Sequence, residues 1–250
     1  MLRVLPCLML LTLPALAGAQ PAAPTALPPP PPRQEATAEF AFVSTTGNSS
    51  TQTMGLSGDY FFRPEDWVFR FRTAYVRNEA EDVLTAESFL FLFRAEHQLT
   101  PRLSAFGEYG YLRDEFAGIE HRNQVLGGLA YKLVDAAPHL LVADAGIGYA
   151  NEQRVIGDDL STAVWNAGLG YRLKLSENAE ITDDLRFNQS FPDAGDWRLA
   201  NIAAVTAKLT TILSLKLSNT VRYVHEPVAG FETTDTITAI ALVAKFQSSN

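Results

Sequence analysis

The stretch Trp67-Val68-Phe69-Arg70-Phe71-Arg72-Thr73-Ala74-Tyr75-Val76-Arg77 puts Trp67, Phe69, Phe71, Thr73 and Tyr75 on one face of an extended strand. Val68, Arg70, Arg72 and Ala74 fall on the other. One face suits lipid and the other water. Stretches of this kind recur over residues 37 to 246, separated alternately by very short turns and by longer acidic loops. The pattern is that of an all-β fold, an antiparallel up-and-down transmembrane β-barrel.

Turn and loop signals divide the chain into twelve predicted strands: 38–46, 51–62, 67–78, 87–98, 103–113, 122–133, 140–152, 161–174, 179–190, 197–209, 213–225 and 234–246. An even number brings both barrel termini to one side, as in bacterial outer-membrane barrels. Short turns such as Arg63-Pro64-Glu65-Asp66, Thr100-Pro101-Arg102 and Ser176-Glu177-Asn178 alternate with connections that carry acids. The acidic connections hold Glu79, Glu81 and Asp82; Asp114, Glu115 and Glu120; Glu152, Asp158 and Asp159; Asp193 and Asp196; and Glu226, Glu232 and Asp235. This alternation predicts short turns in the periplasm, with the termini, and acidic loops outside the cell.

Outward-facing aromatics fall at two heights, as membrane-interface girdles do. Phe62, Trp67, Tyr131, Tyr171 and Phe246 lie near the predicted periplasmic ends, and Tyr75, Tyr111, Tyr149, Phe187, Trp197 and Tyr223 near the outer ends. A soluble secreted β-protein would alternate as well, but it has no reason to sort its aromatics into two bands. The inward face carries charge: Arg70, Arg72, Arg94, Glu96, Glu108, Arg122, Asp144, Arg172, Asp184 and Arg186 are its candidate functional residues, with Lys132, Arg198, Lys208, Lys216 and Arg222. A turn symmetric about Pro101 sets Arg94 opposite Glu108. Both signs occur at similar depths. The inward charges therefore form either a path for charged solutes or a polar filling that fixes register. Under the second reading, removing Arg94 and Glu108 together should open a path.

Residues 1–19 have the parts of a signal peptide: basic Arg3, an apolar run from Val4 to Leu16, and small Ala17, Gly18 and Ala19. Cys7, the only cysteine, leaves with it, so the mature chain has neither disulfides nor a thiolate metal site. Loss of Arg3 takes the 20 Lys and Arg to 19 against 28 Asp and Glu, a formal charge of −9 without a basic run, which argues against nucleic acid as a partner. Residues 20–36 read as a proline-rich periplasmic leader ahead of a barrel over 37–250, because Pro28 to Pro32 hold the backbone in polyproline II. At about 3.1 Å per residue its spacer from Gln20 to Arg33 would reach roughly 40 Å.

No catalytic constellation is evident. An outer-membrane lipid hydrolase would pair a histidine with a nearby serine, whereas His121 precedes Arg122-Asn123, His225 precedes Glu226-Pro227, and His97 and His139 lie at periplasmic ends. The chain holds no His-Glu-x-x-His, phosphate-binding glycine loop or dinucleotide fingerprint, and no acidic loop has the spacing of a calcium motif. No cofactor and no metal are expected. The expected partners are outer-membrane lipid and lipopolysaccharide, and the barrel-insertion machinery during assembly.

At the first predicted hairpin, Phe40-Ala41-Phe42-Val43-Ser44-Thr45-Thr46-Gly47-Asn48-Ser49-Ser50-Thr51 resembles the start of the YdiY-like salt-induced outer-membrane proteins, a domain of unknown function. Gly146-Ile147-Gly148-Tyr149 and Gly168-Leu169-Gly170-Tyr171 are similar to that family too. The resemblance spans residues 37 to 246 and implies an outer-membrane barrel without enzymatic activity, linked by name to salt or osmotic response. It supplies no site residues. Barrel chains usually end on an aromatic residue, whereas here Gln247-Ser248-Ser249-Asn250 follow Phe246. Two classes stay open, an envelope-adaptation protein with a lumen largely filled by charged side chains and a narrow passive channel for small solutes, with a lipid hydrolase a distant third.

Overall fold

A computed structural model of the chain describes residues 31–45 and 51–248. The predicted signal peptide, most of the leader and the turn over 46–50 lie outside the described residues. Twelve strands follow in order: β1 Gln34–Thr45, β2 Thr51–Phe62, β3 Trp67–Ala80, β4 Val83–Gln98, β5 Leu103–Asp114, β6 Ile119–Ala136, β7 His139–Arg154, β8 Leu160–Lys174, β9 Ala179–Ser190, β10 Trp197–Lys208, β11 Leu213–Val224 and β12 Thr234–Gln247. Each pairs antiparallel with its chain neighbours, and β1 pairs with β12 to close the barrel. Gln34 and Gln247 therefore stand at one end, called here the terminal end, with the short turns. The opposite, loop end carries the acidic connections. No helix among the described residues is long and apolar enough to cross a membrane, which says nothing of a barrel that crosses with strands.

All twelve predicted strands are present, several with longer margins than predicted. Strand β1 starts at Gln34, inside the predicted leader, because Glu35 and Thr37 find ladder partners on both sides: Phe61 and Asp59 in β2, Gln247 and Lys245 in β12. The proline run stops at Pro32, so backbone donors become available from Arg33 onward. Between β3 and β4 the predicted acidic loop is a two-residue turn, Glu81-Asp82, with φ of 51° and 62°. Such mirror-image turns match strand twist, so the ladder runs on to Ala80 and Val83. The β5–β6 connection contains a single 3₁₀ turn, Glu115–Ala117, capped by the Asp114 carboxylate and closed by Gly118 at φ 79°.

The outward face is apolar and exposed: Val125, Leu129 and Ile147 are 58%, 52% and 64% accessible. On β8–β11 the loop-end aromatics form one row, Trp165 to Phe187 to Trp197 to Tyr223, with ring centroids 5.0–5.8 Å apart. On β3 and β4, Phe69, Phe93 and Phe71 continue the stack that Trp67 begins at the terminal end.

The interior holds a small apolar core against one wall, made by Phe106, Leu126, Ala130, Ala150 and Val164 with Val142 beside them. Phe106 is inward on β5, and its ring lies over Gly128 and Gly146 of the next two strands. A Cβ at Gly128 would sit 2.2 Å from the Ala145 carbonyl oxygen and 2.7 Å from the Phe106 ring. The carbonyl is backbone and cannot swing aside. Gly128→Ala should therefore cost about 1–3 kcal/mol, the range for overpacking, read as a lower urea midpoint of the refolded barrel in detergent. An unchanged midpoint would show that β6 and β7 can separate there freely.

Candidate functional site

Period-two alternation decides which charges meet inside the barrel, and short turns decide which pairs stand opposite. In the β4–β5 turn the Thr100 hydroxyl accepts from the backbone of Arg102 and Leu103, and Leu99 N–H donates to the Leu103 carbonyl. This tight closure sets Arg94 against Glu108 in the ladder, with Arg94 Nη1 3.2 Å from Glu108 Oε2. Arg94 Nε also reaches Glu96 at 3.3 Å, and its guanidinium lies 3.6 Å from the centroid of the Phe106 ring. With 10% and 12% of the Arg94 and Glu108 side chains accessible, little water competes for the pair.

The other predicted site residues fall into neighbouring groups along the same wall and across the lumen. Asp59 on β2 accepts from Arg70 at 2.7 Å and from Arg72 at 3.1 Å. Arg186 on β9 meets Asp144 on β7 at 3.0 Å and Asp184 on its own strand at 3.1 Å. Arg122 on β6 donates to Glu152 on β7 at 2.7 Å. Arg172 differs from all of these. Its side chain is exposed at the terminal end of β8 and has no carboxylate within 4.0 Å.

Sequence reasoning placed Glu152 and Asp114 in outer loops, and the structure places both inside. The reason is ladder length: β7 runs on to Arg154, so the inward parity of Asp144, Gly146, Gly148 and Ala150 continues to Glu152. Glu152 is the most enclosed charge among the described residues, with 0% of its side chain accessible. Its Oε1 accepts from Arg154 Nε at 2.9 Å and Arg198 Nη2 at 3.1 Å, while Oε2 accepts from Arg122 at 2.7 Å and lies 2.7 Å from Arg198 Nη1 in an ion pair. Arg198 thus grips the carboxylate with both arms of its fork, from three strands away. Asp59 and Glu39 were missed as well, although both share parity with inward neighbours, and Lys216 on β11 donates to Glu39 at 2.8 Å.

Asp114 forms a longer span. It lies at the loop end of β5 and pairs at 3.3 Å with Arg222 of β11, six strands away in a ring of twelve. That ion pair bridges opposite walls of the barrel. Above it, the connection over residues 225–233 folds inward, burying Val228 against Gly118 and setting Phe231 beside it. A Cβ at Gly118 would meet Val228 Cβ at 2.7 Å, so glycine permits the contact as well as the left-handed φ. Lower down, Gln124 of β6 donates to Asn188 of β9 at 3.0 Å. The cavity beside Arg122, Asn188 and Arg198 has a volume of ≈ 0 Å³, too small for a water molecule.

The four histidines all sit beside aromatic rings. His97 lies against Trp67 with centroids 4.7 Å apart, and His225 stacks on Trp197 at 5.0 Å. Nδ1 of His121 and of His139 is 2.8 Å from the hydroxyls of Tyr111 and Tyr171.

Solved outer-membrane proteins align with the chain. An outer-membrane channel of Pseudomonas putida F1 aligns over 91% of this chain and 100% of its own, at 10% identity and a TM-score of 0.49. The NanC porin aligns over 87% and 100%, at 7% identity and a TM-score of 0.47. The outer-membrane channel DcaP of Acinetobacter baumannii aligns over 86% and 95%, at 9% identity and a TM-score of 0.40. No curated protein matches the chain. The family model described as protein of unknown function, DUF481, matches residues 38–246.

Proposed function

We propose, for a chain that belongs to the DUF481 family of unknown function, that it is a non-enzymatic barrel of the outer membrane whose lumen is held shut by ion pairs. Its role is in envelope adaptation to salt or osmotic stress. The observation that carries this reading is the Asp114–Arg222 bridge between opposite walls, together with Glu152–Arg198 and Asp144–Arg186, which join inward side chains of strands three and two places apart. A conducting pore needs a continuous water path, and these pairs occupy the space through which it would run. The exposed apolar outward face supports residence in a bilayer, in contact with outer-membrane lipid and lipopolysaccharide after delivery by the insertion machinery. The terminal end then faces the periplasm. Histidines set against aromatic rings support interfacial anchoring and not hydrolysis.

Two measurements test the reading. Folded protein should be recovered from outer membranes only with detergent and should shift in gel mobility on boiling. In planar bilayers the refolded protein should give no steady conductance. Recovery as a soluble periplasmic monomer would overturn the location. Large stable conductance steps would overturn the closed lumen and make a narrow passive channel the better account.

A further inference from the structure

Pairing inside the barrel is nearly complete, and the exceptions cluster. Among the described residues, each arginine or lysine on the inward face of a strand has a carboxylate within 4.0 Å, apart from three. These are Arg172 and Lys174 on β8 and Lys208 on β10, all exposed at the terminal end. Lys208 donates only to the Glu177 backbone carbonyl, at 2.9 Å. In the ladder Lys174 stands level with Glu180 of β9 and Thr206 of β10, and Arg172 level with Thr182 and Ala204. One strand separates β8 from β10, a lateral gap of roughly 10 Å from a strand separation of ~4.8 Å, and Lys208 stands two residues beyond the Lys174 rung toward the terminal end, so the long side chains must lean to share one anion. Glu180 is the one carboxylate between them on β9, and it forms no ion pair with Lys174.

A further cation faces them. Arg63, in the β2–β3 turn, shares Glu35 with Lys245, at 4.0 Å and 3.1 Å. Burial chiefly lowers the Arg63 pKa from its ordinary value; Glu35 opposes the shift and Arg172 adds to it, so the two guanidiniums sense one another across the mouth. Like charges held together without counterions are costly, and an anion entering between them relieves the repulsion. Elsewhere in the barrel the protein supplies its own acids. Here Glu180 is the neighbouring acid and forms no ion pair with the three cations, which leaves them open to an anion from outside.

We propose that Arg172, Lys174 and Lys208 form a binding site for polyvalent oxyanions, phosphate or carboxylate, at the mouth that carries the termini. The site opens at the terminal end, below the Asp144–Arg186 pair. Occupation requires neither a conducting lumen nor a membrane, so it goes beyond the closed-barrel reading and can fail separately from it.

The test uses the full mature chain refolded in neutral detergent, with calorimetric titration of inorganic tripolyphosphate and, in a second arm, citrate. Saturable binding of tripolyphosphate is expected, weakening as salt rises, since the Debye length is only about 10 Å at 0.1 M. Arg172→Gln, Lys174→Gln and Lys208→Gln together should weaken it on the order of tenfold or more. Arg102→Gln, which removes an exposed turn cation of the same rim, should leave it unchanged. Lys208→Gln alone leaves no carboxylate unpaired and should still weaken binding, so the proposal stays testable if the triple variant folds poorly. Citrate binding lost in the same variants extends the site to carboxylates, and tripolyphosphate binding alone assigns it to phosphates. No saturable binding of either anion, or equal weakening by Arg102→Gln, would overturn the site.

Discussion

Replacing Glu152 by glutamine should destabilise the folded barrel by about 3–5 kcal/mol, the cost of removing one partner from a buried ion cluster. The amide can still accept a hydrogen bond, but Arg122, Arg154 and Arg198 would keep three positive charges around a neutral group in a site where the side chain is 0% accessible. Water cannot reach that position to screen them. Arg154→Gln is the internal comparison, because it removes a more accessible cation and leaves Glu152 held by Arg122 and by both arms of Arg198. It should cost less than half as much. Guanidinium unfolding followed by tryptophan fluorescence in micelles reads both variants. A Glu152→Gln midpoint equal to that of the native chain would mean that water or structural relaxation compensates the arginines, and that the cluster is not a keystone of the fold.

The second large effect concerns conductance. Sequence alone led to the expectation that removing Arg94 and Glu108 together would open a path. The structure changes that expectation, because the lumen is bridged again by Asp144–Arg186 and Asp114–Arg222 and covered by the connection over residues 225–233. The variant Arg94→Ala with Glu108→Ala should therefore remain silent in planar bilayers. Steady, resolvable steps are expected only when Arg186→Ala, Arg198→Ala, Asp114→Ala and Arg222→Ala are added and residues 226–232 are replaced by a short turn. Conductance from the Arg94 and Glu108 variant alone would show that the remaining bridges do not obstruct the lumen. The two single replacements should also be non-additive in stability by about 0.5–3 kcal/mol, as expected of partners in contact.

The neighbour-to-neighbour part of the site was legible because it depends on local rules. Arg94 meets Glu108 through a tight turn and a period of two, both of which can be read from residues 94–108. Asp59 with Arg70 and Arg72 obeyed the same rules across the Arg63–Asp66 turn, and only its parity was overlooked. Glu152 was misplaced for a related reason: a ladder that continues to Arg154 has no sequence mark at the point where the loop was expected to begin.

Composition and alternation by themselves determined the strand number, the two faces and the end at which the termini stand, since each follows from side chains two residues apart and from turns a few residues long. Only the tertiary structure decided which charges face each other across the lumen. Asp114 and Arg222 are 108 residues apart and meet because closure of β1 on β12 sets β5 opposite β11. The same closure carries Val228 to Gly118 and Arg198 to Glu152, and it leaves Arg172, Lys174 and Lys208 without an ion-pair partner among the described residues at one mouth. The physical reason is that ring closure is a property of all twelve strands together, and a cross-lumen contact leaves no periodic trace in any one of them.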